Sequence, residues 1–218
     1  MKKVWITVLA AALVLAAQTP ALAAQTGYHE PYLLGFPDGS IRPEEPVTRE
    51  QLAQILFRLL ENAPEDLQRE SAFCDLPRSR WSYEAVSALA GLGILTGGEN
   101  GRFEPGKTVS GKALTVAMNM IAHTRQGETA YPALAAGWIR EAAAAKPLAE
   151  ETTLSRAALA ALLNRLLERG TEAEDQMGSD CFWDNTDAGA WYYADVREAS
   201  VPHEWKTEDR AECWTAVG

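Results

Sequence analysis

Two arginines occupy positions where a charged donor has most effect. Arg49 follows Thr48 and Arg156 follows Ser155. Each hydroxyl residue stands just before a helically periodic apolar run, where an N-cap oxygen accepts from the first amides of a helix. An arginine one step further on presents a planar, permanently charged fork suited to a carboxylate, beside open amides and the positive end of the helix dipole. Upstream, Asp38-Gly39 is a turn dipeptide, because glycine accepts positive φ and aspartate bonds its neighbouring backbone. Trp81, Trp138 and Trp191 each add a flat apolar face with one N–H donor. This chemistry suits recognition of an anion rather than bond cleavage. No Gly-x-Ser-x-Gly elbow, phosphate-binding loop, His-Glu-x-x-His pair or cysteine beside a histidine is present. No catalytic residue and no cofactor is assigned.

Each of these residues also has a purely structural use. Thr48, Ser110 and Ser155 cap helices whether or not they touch a ligand. Arg49 has Glu50 and Glu45 within reach for surface pairing. Trp81, Trp138 and Trp191 can anchor a core between helices, and Asp75 and Asp184 can bond backbone amides. Asp180, Asp184 and Asp187 lack the order of a calcium loop, since Thr186 and Ala188 fall at ligand positions. His29, His123 and His203 are scattered, and no Cys or His pair has zinc-ligand spacing, so no metal site is expected.

The elements that carry these residues recur. Residues 35–60 and 97–122 align so that Gly39 meets Gly101, Ile41 meets Phe103, Pro43 meets Pro105 and Val47 meets Val109. Beyond Thr48 and Ser110, Leu52, Ile55, Leu56 and Leu59 meet Leu114, Ala117, Met118 and Ile121. A third copy begins at Leu154-Ser155-Arg156 and continues with Leu159, Leu162, Leu163 and Leu166. The i, i+3, i+4, i+7 spacing places each set on one face of a capped helix that must be buried. A second kind of half-repeat lies between. Phe73-x-Asp75 precedes Trp81, Phe182-x-Asp184 precedes Trp191, and Tyr131 precedes Trp138, each tryptophan opening a further amphipathic helix. The two kinds alternate, the first half completing the last. The predicted class is all-α: a three-fold pseudo-symmetric, three-pronged helical bundle with short loops between paired helices.

Met1-Lys2-Lys3, an apolar run over residues 4–17 and the small-residue exit Ala21-Leu22-Ala23 predict a signal peptide over residues 1–23. Residues 24–218 are then one domain, with halves near 32–61, 73–95, 97–122, 131–146, 147–169 and 180–200 and a tail at 201–218. Losing Lys2 and Lys3 takes the net charge from −10 to −12. So acidic a chain has no basic stripe for nucleic acid, and no later segment suits stable membrane insertion. Cys74, Cys181 and Cys213 are odd in number, and export permits a disulfide without specifying the pair.

At these residues the chain resembles the S-layer homology (SLH) domain family. Phe73, Asp75 and Trp81 match its opening. Gly35-Phe36-Pro37-Asp38-Gly39-Ser40-Ile41 with Pro43, followed by Val47-Thr48-Arg49-Glu50, matches its loop and second helix. The resemblance implies a secreted protein on the bacterial cell surface, bound to cell-wall polysaccharide, specifically a secondary polymer bearing pyruvate ketals. It implies a ligand set of Arg49, Thr48, Asp38, Gly39, Arg156 and Ser155 with Trp81, Trp138 and Trp191 in grooves between repeats. A degenerate scaffold contacting other envelope proteins is the alternative. The second copy has Gly111 where the signature arginine belongs, followed by Lys112. The third has no G-x-D-G turn, so one or two competent grooves at most are expected.

Overall fold

The computed structural model describes residues 25–59, 70, 73–123, 132–143, 152–170, 176, 178, 181–208 and 211–218. In chain order the elements are β1 (Thr26–His29), α1 (Arg49–Arg58), α2 (Tyr83–Gly91), α3 (Gly111–His123), α4 (Pro132–Ala143), α5 (Arg156–Leu166), α6 (Tyr193–Ser200), β2 (His203–Glu208) and β3 (Ala211–Val217). The expected signal peptide, Tyr131, and the segment around Lys146 and Pro147 lie outside the described residues.

Helices α1, α3 and α5 are the loop-capped halves, and their apolar stripes form the core. Leu52, Ile55 and Leu56, then Leu114, Ala117, Met118 and Ile121, then Leu159, Leu163 and Leu166 are buried, while Leu59 and Leu162 are partly covered. Each such leucine or isoleucine contributes about 1.5–3 kcal/mol on burial. α1 packs on α2, α3 on α4 and α5 on α6, so each capped helix pairs with the helix that follows; Trp81 and Trp191 precede theirs, whereas Trp138 lies in the middle of α4 rather than opening it.

The three copies meet in a ring of backbone hydrogen bonds. Val47 N–H donates to Leu154 O at 2.9 Å, Leu154 N–H to Val109 O at 3.0 Å, and Val109 N–H to Val47 O at 2.8 Å. These residues immediately precede the caps, so the ring sets three helix N-termini around one axis. It also consumes their free amides. Arg49 and Glu50 N–H donate to Lys107 and Pro105 O, Arg156 and Ala157 N–H to Glu45 and Pro43 O, and Gly111 N–H to Thr152 O. The last half packs on the first: Tyr32 and Leu33 N–H both donate to Ala199 O at 3.0 Å.

The all-α expectation is incorrect. β1, β2 and β3 form a three-stranded antiparallel sheet in that order, and the fold is mixed α and β. β1 pairs Thr26 with Lys206 through His29 with His203, and β2 faces Trp205 to Trp214 across a bulge. In the tail, residues 203–208 and 211–217 are thus strand. Trp205, Thr207, Trp214, Thr215 and Val217 suit a pleated, half-buried surface, but the third strand of the sheet lies at the opposite end of the chain.

Candidate functional site

The two signature arginines brace loops. Arg156 is 3% exposed. Its Nε donates to Ile41 O and its Nη2 to Leu34 O, both at 2.7 Å, with the guanidinium carbon 4.9 Å from the centre of the Phe36 ring. Arg49 repeats the arrangement one copy on: Nε donates to Phe103 O at 2.8 Å, Nη2 to Thr96 O at 2.7 Å, and the Phe103 ring lies 4.5 Å away. The Arg49 guanidinium does not sit in the surface pair with Glu50 or Glu45 considered for it. Burial lowers the pKa of both, to about 10 for Arg156, which leaves them cationic at neutral pH. The arginine of one copy therefore holds the loop of the next around the ring. This accounts for two departures in the sequence at once. Gly111, which takes the arginine's place in α3, belongs to the copy whose partner would be the third copy's loop, and it is there that the sequence has no G-x-D-G turn.

The aspartates of the other half-repeats hold the same loops from the opposite side. Asp75 accepts from Phe103 and Glu104 N–H at 2.8 and 2.9 Å, and Asp184 from Ile41 and Arg42 N–H, both at 2.8 Å. Bonding to backbone amides was expected for both, though these amides belong to loops distant in sequence. Burial disfavours the charge on Asp75, but the amide donors outweigh it and hold its carboxyl below the usual range.

The remaining residues separate into different surroundings. Thr48 forms a capping box with Gln51, and Ser155 accepts from Ala158 N–H at 3.1 Å. Asp38 accepts from Ser40 N–H, Ser40 Oγ and Arg42, which holds its carboxyl at about 2. Gly39 has φ of 79° and lies beneath Trp183, whose Nε1 donates to Asp38 O at 3.2 Å. Trp138 is buried, 7% exposed, and donates to Asn119 Oδ1 at 2.8 Å. Trp81 and Trp191 are 59% and 66% exposed, so the core-anchor use fits Trp138 alone.

Two grooves collect these side chains. The larger, about 560 Å³, brings Arg156 and Trp81 together with Arg58, Gln51, Gln54 and the turn Gly35-Phe36-Pro37. Buried Glu50 also lines it, but its carboxylate is taken by the Arg80 fork at 2.7 and 2.8 Å and by Ser82 Oγ at 2.7 Å. That pairing fixes the residue just before Trp81, so the indole is held at the rim with its face open. Arg156 still has Nη1 beyond its two carbonyl bonds, and Arg58 supplies a second guanidinium. The smaller groove, about 410 Å³, lies between Asp38, Arg42 and Glu45 on one side and Trp183 and Tyr192 on the other. Arg49 lines neither groove. Sequence reading missed Arg58, Gln51 and Gln54, although with Glu50 they form a polar stripe on α1 at helical spacing, a legible signal. Trp183 and Tyr192 carried no such signal.

A ring of loop-braced helices with a groove between copies, two cations within it and an open indole at its edge, defines a repeat-built binding module. Residues 33–53 and 72–112 match the S-layer homology domain. It is 26% identical over 217 residues to Cell surface glycoprotein 1 of Acetivibrio thermocellus, which covers 85% of this chain and 9% of the relative. It is 26% identical over 208 residues to the Cellulosome-anchoring protein of the same organism, covering 86% of this chain and 46% of the relative. The chain thus spans less than half the length of either. Among the described residues no helix is long and apolar enough to cross a membrane.

Proposed function

We propose that this chain attaches non-covalently to the bacterial cell wall, and that the larger groove holds an acidic saccharide of a secondary cell-wall polymer, a pyruvate-bearing sugar. One observation carries the reading: Arg156, Arg58 and the open face of Trp81 converge on a single groove of about 560 Å³. A ketal carboxylate pairs with guanidinium donors that are already in place, and a pyranose face covers the indole. Thr48, Ser155 and the helix-tip amides hold the walls of the groove and do not touch the sugar. The names of the two relatives, a surface glycoprotein and an anchoring protein, accord with this role. In this reading residues 24–218 act as the module after export removes residues 1–23, and no bond is made or broken.

The exposed Trp183 on the smaller groove, with exposed Trp191 elsewhere on the surface, favours a second reading, contact with another envelope protein. Purified wall sacculi, before and after chemical removal of the glycopolymer, separate the two. Retention only by polymer-bearing walls, weakened about tenfold or more by Trp81→Ala and by Arg58→Ala, supports saccharide binding. Retention that ignores the polymer rejects it, and sensitivity to Trp183→Ala instead points to the protein partner.

A further inference from the structure

The terminal sheet closes over a buried group that the repeats do not use. His29 on β1, Glu198 on α6 and His203 on β2 present ligand atoms that all lie within 4.8 Å of one another. Glu198 Oε1 is 3.0 Å from His29 Nδ1 and 3.1 Å from His203 Nε2. We propose that His29, Glu198 and His203 bind one divalent ion of the zinc class, pinning the terminal sheet to the last helix.

The tautomer of His203 is the first argument. Its Nδ1 lies 2.7 Å from Val201 O, and a carbonyl only accepts, so Nδ1 carries the proton and the neutral ring keeps a lone pair on Nε2. That nitrogen is fully buried, with the residue 0% exposed, and makes no hydrogen bond. It nevertheless faces a carboxylate oxygen. Two lone-pair atoms so placed need a positive species between them, either a second proton or a metal ion. Ligands about 2.0–2.2 Å from a tetrahedral zinc stand about 3.3 Å apart, close to the two separations here.

The surroundings are those of a built site. Metal-bound imidazoles pass their other N–H to a carbonyl or carboxylate, and ligating carboxylates are themselves hydrogen-bonded. Val201 O does this for His203. Trp214 Nε1 donates to Glu198 Oε2 at 2.9 Å. Glu212 Oε1 stands 3.9 Å behind His29 Nε2, and its other oxygen is buried without a hydrogen-bond partner. Trp214 stacks on His203 at 4.0 Å and Trp205 flanks His29 at 5.3 Å, so the ring nitrogens sit among aromatic walls. Two imidazoles and one carboxylate suit Zn(II), Co(II) or Ni(II) and are a poor set for Mg(II) or Ca(II).

The full chain, stripped with EDTA, is titrated with Zn(II) in a calorimeter and with Co(II) in the visible spectrum. The expected result is one ion per chain, an intense Co(II) spectrum of low coordination number, and a Tm raised by Zn(II) and lowered again by EDTA. His29→Gln and His203→Gln each weaken binding more than about 100-fold, Glu212→Gln about 10–100-fold, and His123→Gln on α3 not at all. The wild-type titration stands even if a variant fails to fold. Absence of Zn(II) and Co(II) binding to the native chain overturns the proposal. So does binding that survives His203→Gln, or nitrogen NMR showing His203 doubly protonated with Zn(II) present, which would mean that a proton fills the gap.

Discussion

Replacing Arg156 by alanine tests whether the signature arginine serves the fold or only a ligand. The side chain is 3% exposed and spans Ile41 O and Leu34 O with two bonds of 2.7 Å. Hydrogen bonds to a charged group contribute about 1.5–3 kcal/mol each, so losing both removes about 3–6 kcal/mol. Against this stands the cost of holding the cation out of water. The depression to about 10 corresponds to about 3 kcal/mol, which the alanine variant recovers. The net loss is about 2 kcal/mol, or a fall in Tm of about 4–8 °C for a chain of this size. Urea unfolding followed by tryptophan fluorescence should show a lower midpoint at an unchanged slope. Amide exchange should accelerate first across residues 34–42, the loop the fork holds. Arg156→Lys should recover only part of the loss, because an ammonium cannot span two carbonyls as a planar fork does. If Arg156→Ala keeps the wild-type midpoint and loses only wall retention, the brace argument is wrong and the guanidinium is a ligand group alone.

Asp75→Ala should cost about 1–3 kcal/mol, because the amides of Phe103 and Glu104 lose their acceptor. Since the folded-state pKa of Asp75 is lowered, its contribution is fully present above the ordinary aspartate pKa and is lost as pH falls through the folded value. Urea midpoints of the wild type and of Asp75→Asn, compared from neutral pH down to about pH 3, should converge. Gly97→Ala would put a methyl 2.5 Å from Phe73 Cε1 and 3.0 Å from Arg102 O, and should cost about 1–3 kcal/mol in the same assay. Phe73→Leu should relieve part of that loss. Gly111→Arg should lower stability without adding wall retention, because position 111 is buried and has no room for a guanidinium. Greater retention by this variant in the sacculus assay would contradict the bracing scheme.

Much of the helical part was legible because its signals are local. Thr48 and Gln51 announce a capping box three residues apart, and Leu52, Ile55 and Leu56 announce the buried face of the same helix, whatever else the chain does. Asp38-Gly39 and Asn100-Gly101 mark turns by their own backbone chemistry. Repetition then multiplied these short-range signals into an architecture. The candidate site was legible only in its parts. Arg156 and Trp81 were both singled out, but their convergence on one groove depends on the ring of Val47, Val109 and Leu154, in which each copy donates to a different neighbour.

Residue types and spacing, by themselves, determined where helices begin, which faces are apolar and which loops carry turns, since those depend on interactions within a few residues. Tertiary structure alone decided what the long-range groups do. It gave Arg49 and Arg156 a loop-bracing role that the sequence did not show, because their carbonyl partners come from another copy. It made a sheet from residues 26–29, 203–208 and 211–217, and so joined His29 to His203 across nearly the whole chain. No periodicity encodes such a meeting; only the closing of the fold brings those atoms within bonding reach.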